Sequence, residues 1–145
     1  MSAPQDISQN KALLWFMAAA CGLCAGANYY SQPLIHSIQQ YFAVTESKAA
    51  LTVTFAQVSY ALGLLFIVPI GDVANKTKFI PLLMTLCAMG LFLSAFSVNL
   101  PMLWVGTVLV GLFSVAAQVL IPLATMTVQP EKTGEVAGFL ISGLF

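Results

Sequence analysis

Apolar and polar positions in this chain segregate into long apolar runs joined by short polar segments. Lys11 to Glu46 encloses 34 residues without Asp, Glu, Lys or Arg, Lys48 to Asp72 encloses 23, and Lys78 to Glu131 encloses 52. A helix needs roughly 20 residues, at ~1.5 Å each, to cross about 30 Å of hydrocarbon, and every run is long enough. The longest is divided by Ser97-Val98-Asn99-Leu100-Pro101, an Asn and Pro turn signal, and reads as a helical hairpin. The pattern predicts a polar tail over residues 1–10 and spans at 11–37, 48–71, 79–98 and 101–128. A fifth apolar run, 134–145, ends after about half a crossing. The expected fold class is an all-α membrane protein, a polytopic helical bundle of four full transmembrane helices and a truncated fifth.

Composition agrees. Of 145 residues 59% are apolar and 7% charged, with a mean hydropathy of +0.92. Soluble domains carry about a quarter of their residues as charges, so this surface must be wetted by a lipid bilayer. Five Lys and five acidic residues cancel and Arg is absent, which leaves no basic face for nucleic acid. Lys11, Lys76, Lys78 and Lys132 fall on one side of the predicted bundle and Lys48 on the other. The positive-inside rule then places the N-terminus in the cytoplasm.

Reactive side chains add little. Cys21-Gly22-Leu23-Cys24 is formally C-x-x-C, but it lies inside a span, where a thiolate is disfavoured and Cys serves as a small packing residue. His36 stands alone. No metal site, cofactor site or catalytic constellation is expected, so the chain does not read as an enzyme.

Two kinds of intramembrane residue carry more. Small residues at every fourth position, Ala18, Gly22 and Gly26, then Gly134, Gly138 and Ser142, predict close helix contacts. Polar residues at helical spacing predict a solute path: Asn28, Tyr29 and Gln32 in the first span, Gln57 and Tyr60 in the second, Ser114 and Gln118 in the fourth. Pro33 and Pro122 lie close to these amides and are expected to kink their helices. The third span has only Thr85, Cys87, Ser94 and Ser97, which helix carbonyls can satisfy, and is expected to face lipid.

The joint between the second and third spans, Pro69-Ile70-Gly71-Asp72-Val73-Ala74-Asn75-Lys76-Thr77-Lys78, places a carboxylate at the negative end of a helix dipole, where it needs a partner. Gly71, Asp72, Lys76 and Lys78 in this loop resemble the cytoplasmic motif of the major facilitator superfamily, in particular its bacterial efflux members. Ala27-Asn28-Tyr29-Tyr30-Ser31-Gln32-Pro33-Leu34 looks like a first-helix signature of one such group, and Gly111 to Pro122 looks like its fourth helix.

The resemblance covers the whole chain and about a third of a twelve-helix family member. It implies a multi-pass protein of the cell inner membrane that moves a small solute or drug outward. It also implies a partner in a C-terminal half missing from this chain, without which the fragment is expected to be inactive. Asp72 would dock against that half as a cytoplasmic gate, with Lys76 and Lys78 in its charge relay. Two positions depart from the family pattern: Val73 stands where Arg is usual, and Thr107 where many proton-coupled exporters have Arg. Two alternatives remain, a small four-helix transporter acting as a homodimer and a non-transporting structural membrane protein. The homodimer resembles a family that needs a membrane-embedded Glu in its first helix, whereas the acids nearest that span are Asp6 and Glu46.

Overall fold

Each of the four long spans starts where a short polar side chain can satisfy the free amides of a first turn. Asn10 accepts from the Leu13 amide at 3.1 Å, Thr45 from Lys48 at 3.4 Å, Asn75 from Thr77 at 3.2 Å and Asn99 from Met102 at 2.9 Å. These caps open the four spans of a computed structural model that describes residues 6–143: Lys11–Tyr29, Glu46–Val73, Lys76–Ala95 and Leu100–Met126. All four are long and apolar enough to cross a membrane. A fifth helix, Thr133–Ser142, follows a short 3₁₀ turn at Pro130–Lys132. Residues 1–5 of the predicted tail and residues 144–145 of the fifth run lie outside the described residues.

The first span is shorter than the predicted 11–37. Its helix ends at Tyr29, the chain turns through Tyr30 to Leu34, and a separate helix runs over Ile35–Phe42. Pro33 is the cause: it has no amide to donate, and it disfavours helical backbone at Gln32. The turn is held instead by Gln32 N–H to the Tyr29 carbonyl and Leu34 N–H to that of Ser31, each 3.2 Å. Pro33 therefore ends the helix and does not kink it.

Two other spans are irregular partway along. In the second, a π turn occupies Gly63–Ile67, and the Val68 amide reaches back five residues to the Gly63 carbonyl. Pro69 cannot donate to Leu65, and its ring crowds that carbonyl, which widens the preceding turn. In the fourth, the helix is interrupted at Ser114 and Val115, while Pro122, expected as the kink, lies inside the continuous segment Ala116–Met126.

The core joins the first span (Met17, Ala18, Cys21, Cys24) to Ala117, Leu120 and Ala124 of the fourth and to Val136 and Leu140 of the fifth helix. The third span is not wholly lipid-facing. Ile80, Leu83, Cys87 and Gly90 are buried, while Leu82, Met89 and Phe92 point outward. Its partner is the fourth span, and the approach is close: a Cβ on Gly106 would lie 2.8 Å from the Ser94 amide nitrogen and 2.9 Å from the Gly90 carbonyl. Of the two small-residue stripes, Gly22 abuts Gly143, but Gly26, Gly134 and Gly138 have nothing within 4 Å of where a Cβ would be.

Candidate functional site

The sequence brings the second and fourth spans together through Gly111, whose missing side chain leaves room for the Ala56 carbonyl and Ser59. A Cβ there would sit 2.7 Å from that carbonyl and collide with the Ser59 hydroxyl. Ser59 tucks its own hydroxyl back onto the Phe55 and Ala56 carbonyls at 2.6 and 3.1 Å, so it stays small and satisfied. This contact sets the next polar pair. Tyr60 follows Ser59, Gln118 lies seven residues beyond Gly111, and Gln118 Nε2 donates to the Tyr60 hydroxyl at 3.2 Å.

Between that pair and the end of the first span lies a cavity of about 190 Å³, lined by Asn28, Tyr29, Tyr60, Ser114 and Gln118 together with Cys24, Ala25 and Ala117. Five of the seven residues expected to line a solute path meet here. Ser114 donates to the Gly111 carbonyl at 3.1 Å, within its own broken helix. Asn28 is 2% exposed, and neither its Oδ1 nor its Nδ2 has a hydrogen-bond partner. An unsatisfied buried amide costs about 1–3 kcal/mol, so Asn28 carries an unmet polar demand beside the cavity. No ionisable Asp, Glu, Lys, Arg or His lines it.

Polar pairs continue toward the Lys48 end of the bundle. The Tyr30 and Thr107 hydroxyls are 3.4 Å apart, and Thr107 also donates to the Leu103 carbonyl at 2.8 Å. Trp104 Nε1 donates to Thr52 Oγ1 at 3.1 Å. Ser31 is fully buried with its hydroxyl unpartnered. Thr107, the position that departs from the family pattern, thus serves as a neutral hydrogen-bonding group between the fourth span and the turn that follows the first. Sequence reading passed over Thr52 and Trp104. The available signal was the series Thr52, Ala56, Ser59, Gly63, small residues at four- and three-residue spacing down one face of the second span.

The remaining candidates lie elsewhere. Gln32 is exposed in the turn after the first span, and Gln57 is half-buried outside the cavity lining. Gly71 is buried, with room for no side chain between Phe79 and Val119, each 3.0 Å from a built Cβ. Asp72 and Lys78 are exposed and Lys76 is half-buried. Their helix ends at Val73 and the backbone at Ala74 and Asn75 is extended, so Lys76 does not sit one helical turn beyond Asp72. At the same end of the bundle, Lys132 Nζ donates to Ser8 Oγ at 3.3 Å. The three cysteines are buried free thiols. Among the described residues no group of three or more His, Cys, Asp or Glu could hold a metal ion.

A family model described as Major Facilitator Superfamily matches residues 14–145. Two Escherichia coli proteins, each named as an uncharacterized transporter, YgaY, are 45% identical over 133 residues, 92% of this chain and 34% of theirs. A Streptomyces coelicolor protein named as a probable transporter is 28% identical over 130 residues, 89% of this chain and 30% of its own. The chain thus spans about a third of the length of these relatives. No solved structure matches it significantly.

Proposed function

The chain belongs to the major facilitator superfamily, and from that membership we propose that its spans form part of a multi-pass transporter that exports a small solute across the cell inner membrane, with its N-terminus in the cytoplasm. The observation that carries the reading is the convergence of Asn28, Tyr29, Tyr60, Ser114 and Gln118 from the first, second and fourth spans on one cavity, with the Asn28 amide buried beside it and without a partner. A packing residue would not keep an unsatisfied amide at that depth, whereas a carrier holds its solute there. Outward direction is inferred from the efflux-type pattern of Gly71, Asp72, Lys76 and Lys78, with Asp72 as the gate carboxylate. The lysine asymmetry supports the orientation. Membership in a carrier family supports transport as the activity.

Water access tests the path. With Cys21, Cys24 and Cys87 replaced by Ser, Tyr60→Cys and Gln118→Cys in lipid nanodiscs should react with a water-soluble maleimide. Leu82→Cys, which points outward from the third span, should resist it. Equal resistance at all three positions would sink the solute-path reading.

A further inference from the structure

We propose that a groove between the first span and the fifth helix, at the end of the bundle that carries Lys11 and Lys132, holds the phosphate headgroup of an anionic phospholipid such as phosphatidylglycerol. The groove is a cavity of about 350 Å³ and shares no residue with the cavity beside Asn28. Ser8, Lys11, Lys132 and Glu135 form its polar rim, and Leu14, Trp15 and Phe139 its apolar wall. Four spans separate the start of the first helix from the start of the fifth, so both enter the bilayer from the same end. Along each, the lining changes from polar to apolar one turn further in, from Lys11 to Leu14 and Trp15, and from Glu135 to Phe139. That gradient matches a phospholipid from head to tail and gives a dissolved anion no use for the apolar half.

The aromatic wall fits the same depth. Trp15 is 66% exposed and meets Phe139 edge to face, with ring centres 5.0 Å apart. An exposed indole one turn inside the first lysine lies at the headgroup level, where membrane proteins concentrate Trp. Charge then selects the head. Among the described residues the lining has two lysines against one carboxylate. Lys132 Nζ donates to Ser8 Oγ at 3.3 Å, which fixes one ammonium on the rim with N–H groups to spare. The Asp6 carboxylate accepts from the Ser8 amide and stands outside the lining. An anionic head neutralises the excess lysine, whereas a zwitterionic head brings an ammonium of its own and leaves that lysine unpaired.

Tryptophan quenching in lipid nanodiscs provides the test. The chain has two Trp, and Trp104→Phe, which keeps a ring packed on Phe55, leaves Trp15 as the reporter in the groove. Phosphatidylglycerol and phosphatidylethanolamine with brominated acyl chains, which quench on contact, are compared at equal mole fraction. Phosphatidylglycerol is expected to quench at least three-fold more strongly. Lys11→Gln with Lys132→Gln should bring the two lipids to parity, while Lys76→Gln with Lys78→Gln, which takes the same charge from the same end, should leave the preference intact. If the first pair lowers the melting temperature, Lys11→Gln alone, at an exposed position, should still halve the preference. Equal quenching in the parent, stronger quenching by phosphatidylethanolamine, a preference that survives loss of Lys11 and Lys132, or one that falls alike in both lysine pairs would overturn the proposal. So would relief of the quenching by excess inorganic phosphate, which would make the occupant a dissolved anion.

Discussion

Gln118 donates from Nε2 to the Tyr60 hydroxyl across 3.2 Å, tying the interrupted fourth span to the second at the wall of the cavity. Hydrogen bonds between membrane helices contribute about 0.6 kcal/mol on average and up to ~1.7. Gln118→Leu and Tyr60→Phe should therefore each lower stability in lipid. A double-mutant cycle on denaturant unfolding should give a coupling of about 0.5–1.5 kcal/mol. Full additivity would mean that the two side chains merely lie close together.

Gly111→Ala should cost about 1–3 kcal/mol, because the new methyl meets the Ala56 carbonyl and the Ser59 hydroxyl, and backbone at a helix crossing yields little. Gly138→Ala meets open space and should be neutral or stabilising by up to ~1 kcal/mol through helix propensity. Thermal unfolding in detergent compares the two. The reverse ranking would contradict the packing of the second span on the fourth.

Asp72→Asn should change the stability of this chain by less than about 0.5 kcal/mol. The carboxylate is exposed at the end of its helix, and its interaction with the negative dipole end is small. A loss above ~1 kcal/mol in the same unfolding assay would assign Asp72 a local structural role and remove it as a gate.

The Ser8 hydroxyl and then the Ser8 amide, which lies 3.0 Å from Oδ1, hold the Asp6 carboxyl below the usual carboxylate range; the Lys132 charge adds a smaller pull. A depressed folded pKa means that the stabilisation is present above the ordinary carboxylate value and lost as pH falls through the lowered one. Carbon-detected NMR titration of Asp6 should place its midpoint below that of an unstructured Asp. Ser8→Ala should move the midpoint upward, and an unshifted midpoint in both proteins would show that the cap does not form in solution.

How much of this was legible depended on the range of the interaction. Turns are local, so the joint near residue 99 followed from Asn and Pro, and the joints near 45 and 75 from the charges that bound the apolar runs. The number of long spans followed from the spacing of charges, but the length of the first did not. Pro33 was visible, but its outcome was not. Whether a proline bends a helix or ends it depends on what satisfies the freed carbonyls, and here a turn with its own hydrogen bonds does so.

The candidate site divided in the same way. The four-residue spacing of Ser114 and Gln118 put that pair on one side of its span. Nothing local distinguished them from Gln32 or Gln57, which the structure leaves outside the cavity. The small-residue stripes misdirected for a related reason: spacing alone does not separate Gly111, wedged against Ala56, from Gly138, which touches nothing.

By itself, then, the sequence determined the solvent of this protein, the number and approximate limits of its spans and the polar residues a path could use. Each of these follows from transfer energies and backbone hydrogen bonding within a short stretch of chain. The tertiary structure alone decided which glycines carry helix crossings, where the second and fourth spans lose regular helix, and that Asn28 is buried beside a cavity with no partner for its amide. Those features depend on two or three helices meeting at one depth, and residues far apart in the chain share no local signal of that meeting.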